Sequence, residues 1–385
     1  MISGKTIRPG ATLGVLGGGQ LGRMFAMAAE QMGYRVAAYT PERDSAVSQV
    51  CSHTVCAAFE DTGQLKSFAS AVDLVTIEFE NIPVAALQTA AQHTLVRPAA
   101  TVLAICQNRA REKGFLSERG FPVAKYRSVG ARQDLARAEQ EVGQPAVLKA
   151  AGFGYDGKGQ RIVRSSADLL PAWSSLGEQE SILEEFVDFE KEISVIGVRS
   201  AASEFSAFGP IENVHRNHIL DLSLVPAGLD GALADQAVRL TQHIMEELDA
   251  VGLLCVEFFV TSSGKLLINE LAPRPHNSGH WSLDACSVSQ FEQHVRAIAG
   301  LPLARPLLRT AACMVNLLGD LWADGEPDWG AALALPDIHL HLYGKGQARP
   351  GRKMGHLTAC ADQVEHALEK ALDARARLTA VSSVP

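Results

Sequence analysis

Apolar positions along this chain follow two rhythms. Between 11 and 107, short apolar runs at Thr12 to Leu16, Arg35 to Tyr39 and Leu74 to Ile77 alternate with helical spacing, as in Leu21 to Met32. That order predicts a parallel α/β unit. From about 108 to 303, hairpin patterns take over. Ala146 to Ala150 and Gln160 to Val163 flank a glycine loop, Ser181 to Val187 and Lys191 to Val198 read as a second pair, and Asp235 to Val251 has helical spacing. Beyond about 304, Cys313 to Leu318, the alternating Ile338 to Tyr343 and Met354 to Ala359 read as strands. A turn is expected at Ala348-Arg349-Pro350-Gly351, and a terminal helix from Asp362 to about Leu378.

The most informative pattern is a hairpin. Leu253 to Val260 and Lys265 to Leu271 are apolar runs separated by Thr261-Ser262-Ser263-Gly264. With Ser263 and Gly264 as the loop, residue 262 pairs with 265, and the register carries Glu257 opposite Glu270. Directly opposed side chains sit roughly 4.5 to 5.5 Å apart at Cβ, and like charges placed so repel. With the flanks apolar and therefore buried, a cation is expected between them. The two carboxylates and the Asn269 amide are hard oxygen donors that suit magnesium carrying nucleotide phosphates.

Composition adds bounds. At 385 residues two or three domains are expected, and 47% hydrophobic with 20% charged residues is ordinary for a soluble enzyme. A formal charge of -8 without a long basic run argues against a nucleic-acid or membrane partner. The seven cysteines are odd in number and lack a C-x-x-C pair, which argues against both a disulfide framework and a zinc site and points to a reducing cytoplasm. No apolar run reaches the length of a membrane span.

Two glycine loops carry candidate chemistry. Gly17-Gly18-Gly19-Gln20-Leu21-Gly22 follows a strand and opens a helix, where backbone N–H groups hold anions. The acid expected at the end of the next strand for a dinucleotide ribose is missing, because Tyr39-Thr40 runs into Pro41 before Glu42; anion binding is kept and a nicotinamide cofactor doubted. Gly152 to Gly159 approaches a phosphate loop but has Gly159 where a Ser or Thr belongs, and it joins two strands. It reads as a flap over phosphates with Lys149 on the preceding strand reaching them. Glu184-Glu185-Phe186-Val187 at a strand end, with Glu192 beginning the next, suits an adenine edge and a ribose.

Lys149, the Gly154 to Gln160 loop, Glu184 to Val187, Glu192, Glu257 and Asn269-Glu270 resemble, in order and spacing, the ATP-grasp ligases. The resemblance covers nearly the whole chain. It is narrowed by Gly17 to Met24, Arg274-Pro275-His276-Asn277-Ser278-Gly279-His280, Tyr343-Gly344-Lys345 and Arg352 to His356 to the branch that carboxylates 5-aminoimidazole ribonucleotide with bicarbonate in purine biosynthesis. It implies three domains: an N-terminal parallel α/β domain (1–107), a central ATP-grasp domain with a glycine-rich lid (108–303, lid subdomain about 115–185) and a small C-terminal β-rich domain (304–385). It also implies a homodimer.

The resemblance further implies that Arg109, Lys149, Gly154, Tyr155, Asp156, Gly157, Lys158, Gly159, Gln160, Glu184 to Val187, Glu192, His215, Asn269 and Glu270 contact ATP. Glu257 and Glu270 would hold magnesium, with manganese as a substitute. Gly19, Gln20, Leu21, Tyr155, Asp156, Arg274, His276 and Asn277 would face the ribonucleotide, with Lys345 and Arg352 on its phosphate and either Glu78 or Glu80 reaching it. Arg274 is expected to fork bicarbonate or carboxyphosphate. His276 and Asp156 are alternative acceptors of the amine proton. A formate-dependent glycinamide ribonucleotide ligase, a nicotinamide oxidoreductase and an idle ATP-binding module are the rivals. The Lys345 to His356 segment argues against the first, and the pair Glu257 and Glu270 would go unused in the second. Intact Lys149, Asp156, Arg274 and His276 argue against the third.

Overall fold

The structure is a computed structural model that describes residues 6–152 and 159–379. Its first sheet takes the strands β1 (Thr12–Leu16), β2 (Arg35–Thr40), β3 (His53–Cys56), β4 (Leu74–Ile77) and β5 (Leu95–Val96) in the order β3-β2-β1-β4-β5, all parallel. Leu13, Val15, Val36, Ala38, Leu74 and Val75 are buried, as expected of a sheet covered on both faces. Strand order reverses at β1, so a crevice opens beyond the carboxyl ends of β1 and β4. The glycine loop and Glu78 lie there.

A second, antiparallel sheet joins β6 (Tyr126–Val129), β7 (Ala146–Ala150), β8 (Gln160–Val163) and β9 (Ser181–Glu185) in the order β6-β9-β7-β8. β9 therefore does not pair with β10 (Phe189–Arg199), contrary to the pairing expected of Ser181 to Val187 with Lys191 to Val198. Leu183 packs into the core of this sheet with Leu148 and Val129, whereas Ile193 and Val195 pack into another core. The intervening Phe186-Val187-Asp188 lacks turn chemistry and crosses from one sheet to the next.

The third sheet holds β11 (Phe205–Arg216), β12 (Ile219–Val225), β13 (Gly252–Thr261), β14 (Leu266–Ala272), β15 (Ala311–Leu318), β16 (Ile338–Leu342) and β17 (Lys353–Ala361) together with β10. Its order is β14-β13-β10-β11-β12-β15-β17-β16. The C-terminal strands thus extend the central sheet through Leu222↔Val315 and Leu224↔Cys313. The helix Val364–Arg377 buries Ala367, Ala371 and Ala374, at helical spacing, in the core that β15 and β17 share.

Candidate active site

The β13–β14 hairpin brings Glu257 opposite Glu270, as the sequence predicts, but by a different route. The Gly264 N–H donates to the Thr261 carbonyl and the Thr261 N–H to the Lys265 carbonyl, so the loop is Ser262-Ser263-Gly264, with Gly264 at φ +72°. This loop, one residue longer than expected, pairs Val260 with Leu266 and Phe258 with Ile268. A bulge at Asn269 then restores Glu257↔Glu270. In an unbroken strand Asn269 and Glu270 would point to opposite faces; the extra residue turns both toward one cavity.

That cavity, about 380 Å³, is lined by Arg109, Lys149, Gln160, Glu184 to Val187, Glu192, His215, Glu257, Asn269, Glu270, Arg274, His276 and Asn277. Burial, and then the charge of Glu270, push the Glu257 carboxyl up to about 7. Two facing carboxylates with surplus negative charge and an adjacent amide oxygen fit a hard divalent cation. Arg109 offsets part of that charge from 3.4 Å away at Glu270.

On the other wall, alternation in β7 sends Val147 and Lys149 to the cavity and Leu148 to the core. Lys149 pairs with Glu184. Glu184 also meets Lys113 Nζ at 3.1 Å, and the same ammonium donates to the Ile268 carbonyl at 2.9 Å. Burial alone would raise the Glu184 carboxyl, but Lys113 and Lys149 outweigh it and hold it at about 2. Glu192 lies 2.9 Å from His215. Phe189 stacks on Phe259 at 4.6 Å beside Val147 and Ile162, giving the cavity an apolar end suited to a planar base.

The Arg274–His280 segment leaves β14 and is fastened from beneath. Gln290 accepts from His276 N–H at 2.9 Å and donates to its carbonyl at 2.7 Å. A Cβ at Gly279 would stand 2.4 Å from Ile196 and 2.9 Å from Gln290, so a larger residue would push aside the Gln290 amide that clasps His276. His276 Nδ1 is 2.8 Å from Ser278 Oγ, and Nε2 is 3.3 Å from Glu257. Burial, then Arg274, push its imidazole well below the usual range, so it is neutral. Asn277 exchanges amide hydrogen bonds with Asn316 at 3.1 and 2.8 Å. Arg274 is gripped by Glu80 through Nε and through Nη2 at 2.9 Å. Burial opposes the Arg274 charge, but Glu80 raises its pKa. The fork expected to be open for bicarbonate is therefore engaged by a carboxylate.

A second pocket of about 240 Å³ gathers Gly18, Gly19, Thr40, Glu42, Glu78, Lys345 and Arg352. The anion held by the glycine loop is one of the chain's own. Glu78 accepts from Gly19 N–H and, at 2.9 Å, from Gly22 N–H. Leu21 turns its side chain into the core. Burial, then Arg352, lower the Lys345 ammonium to about 8, and it donates to the Lys353 carbonyl at 2.7 Å. Glu78 and Glu80 thus divide, one in each pocket.

The expected contacts at Gly154, Tyr155, Asp156, Gly157 and Lys158 lie outside the described residues. Gly159 is described, and its N-terminal neighbours are not. Sequence reasoning missed Lys113, Gln290, Asn316, Lys353 and the Phe189–Phe259 stack. Lys113 had a usable signal, since it stands four positions after Arg109 on one helix and shares its face. None of the seven cysteines is in a disulfide. Among the described residues no helix is long and apolar enough to cross a membrane.

Comparison with known proteins covers most of the chain. Residues 10–107 match the ribonucleotide synthetase preATP-grasp domain, 114–291 the ATP-grasp domain, and 312–370 the phosphoribosylaminoimidazole carboxylase C-terminal domain. The chain is 44% identical over 359 residues to N5-carboxyaminoimidazole ribonucleotide synthase of Bacillus subtilis, covering 93% of each. It is similar to the Staphylococcus aureus N5-carboxyaminoimidazole synthetase complexed with ADP (TM-score 0.91, 33% identity, 97% and 100% of the two chains). It is also similar to the Aspergillus clavatus N5-carboxyaminoimidazole synthase in complex with ADP and 5-aminoimidazole ribonucleotide (TM-score 0.87, 29% identity, 96% and 98%).

Proposed function

Because this chain belongs to the N5-carboxyaminoimidazole ribonucleotide synthase family of ATP-grasp ligases, we propose that it carboxylates the exocyclic amine of 5-aminoimidazole ribonucleotide, with bicarbonate as carbon source and carboxyphosphate as intermediate. It is an ADP-forming carbon–nitrogen ligase of purine biosynthesis. One observation carries the site assignment: Lys149, Glu257, Glu270, Arg274 and His276 line a single cavity, with the basic pair Lys345 and Arg352 in the pocket beyond.

The adenine lies by Phe186 and Phe189, its ribose by Glu192, and the phosphates run toward Lys149 and Arg109. Magnesium, held by Glu257 and Glu270, would neutralise phosphate charge as it develops. A bicarbonate oxygen attacks the γ-phosphorus and ADP departs. Lys149, fixed by Glu184, stabilises the charge on the transferring group. Arg274, with Nε and Nη2 held by Glu80 and Nη1 3.1 Å from the Pro275 carbonyl, places its positive charge beside the carboxyphosphate without forking it. The amine attacks the carbonyl carbon of carboxyphosphate, or CO2 formed from it, and the carbon–oxygen bond to phosphate breaks. His276, held neutral, is in the state a proton acceptor requires. Asp156 is the alternative acceptor. Lys345 and Arg352 hold the ribonucleotide phosphate, and the Tyr155 to Lys158 segment excludes water from the labile intermediate.

The path through carboxyphosphate moves one bicarbonate oxygen into inorganic phosphate. Turnover with oxygen-18 bicarbonate tests this by mass spectrometry of the phosphate: one labelled oxygen supports it, and unlabelled phosphate contradicts it. The same family premise supports a cytoplasmic homodimer, which sedimentation of the purified protein would test.

A further inference from the structure

We propose that Asp284, His341 and His356 form a binding site for a divalent transition-metal ion of the zinc class, separate from the ATP cavity. One donor atom from each of the three lies within 4.8 Å of the others. His341 Nε2 is 3.0 and 3.1 Å from the two Asp284 oxygens, and His339 Nδ1 stands 3.8 Å from the same carboxylate. None of these residues lines either pocket described above.

An ion pair between Asp284 and His341 explains only half of the cluster. His356 is fully buried, and its Nε2 has no hydrogen-bond partner among the described residues. An unpaired buried ring nitrogen is costly unless something occupies it. Its other nitrogen, Nδ1, lies 2.9 Å from the Tyr343 hydroxyl. With Nδ1–H donating to that oxygen, the free lone pair sits on Nε2, which is the arrangement found behind metal-binding imidazoles.

Two imidazoles and a carboxylate are a donor set that suits zinc, with a fourth position left for water or His339. Zinc–ligand bonds of about 2.0–2.1 Å set tetrahedral donors about 3.3 Å apart, so closure from 4.8 Å requires shifts of at most about 1.5 Å together with a rotation of the His341 and His356 rings, which stack 4.5 Å apart with 13° between their planes. His341 is partly exposed, which gives an ion a way in. Once bound, the ion ties the helix Ser282–Ala285, which follows the Arg274–His280 segment, to β16 and β17.

The test uses untagged full-length protein with excess Mg2+ to occupy Glu257 and Glu270. After equilibration with Zn2+ and removal of free ion, the wild type is expected to retain one equivalent that His341→Gln and Asp284→Asn lose. Co2+ substitution should give the intense visible bands of a four-coordinate site in the wild type alone. Tyr343→Phe should weaken Zn2+ affinity about 10- to 100-fold while keeping the ligands. His341→Gln lies at a partly exposed position, and an unchanged metal-free Tm shows that it folds. Equal zinc content in the wild type and both ligand variants, including none in any, overturns the proposal.

Discussion

Lys113 Nζ stands 3.1 Å from Glu184, and the two side chains are only 2% and 4% exposed. The ammonium also holds the Ile268 carbonyl of β14, so one buried charge links the strand bearing Glu184 to the strand bearing Glu270. Removing it leaves a buried carboxylate with Lys149 alone. Lys113→Met should destabilise the fold by about 3–5 kcal/mol, read by urea denaturation. ATP affinity should fall as well, because Lys149 is drawn toward the unbalanced carboxylate.

The same carboxylate sets an acid limb. Its folded value, about 2, lies below the 4.5 of an ordinary glutamate, so its contribution is fully present above pH 4.5 and is lost as pH falls toward 2. Wild-type stability should drop by a few kcal/mol across that window, and Glu184→Gln should flatten the limb.

Glu257 behaves in the opposite way. With its carboxyl at about 7, Mg2+ binding near neutrality must displace a proton, whereas above about pH 8 the group is already ionised. Calorimetry of Mg2+ binding in buffers of differing ionisation enthalpy should show proton release at pH 6.5 to 7 that disappears at higher pH. Glu257→Gln should remove both the release and most of the affinity.

The register of these two glutamates marks how far the sequence could be read. Glu257 opposite Glu270 was correct, although the assumed two-residue turn is a three-residue loop and the Asn269 bulge supplies the missing step. Alternation shows which face a residue takes, but a bulge resets alternation without a signature in residue type. Strand limits at Thr12–Leu16, Leu74–Ile77, Ala146–Ala150 and Gln160–Val163 were legible because turn residues bound each apolar run. The partner of Ser181–Glu185 was not, since pairing across three sheets depends on which core accepts Leu183. Glu80 gripping Arg274 and Gln290 clasping His276 join positions far apart in sequence, and nothing local announces them.

Arg274→Lys keeps the charge and loses the two-pronged contact with Glu80. Its kcat should fall by roughly 100-fold or more, with KM for ATP little changed, as steady-state kinetics would record.

Lys345 should confer a pH dependence on ribonucleotide binding. Its ammonium, lowered to about 8, loses charge above that pH, so KM for the ribonucleotide should climb while KM for ATP does not. Lys345→Arg should abolish the climb.

The most direct measurement is ADP release from Mg2+ and ATP with bicarbonate present, comparing no ribonucleotide, 5-aminoimidazole ribonucleotide, and glycinamide ribonucleotide with formate. Strong stimulation by the aminoimidazole compound, dependent on bicarbonate, is the predicted result. Stimulation by the glycinamide pair alone, or by neither, would contradict the account.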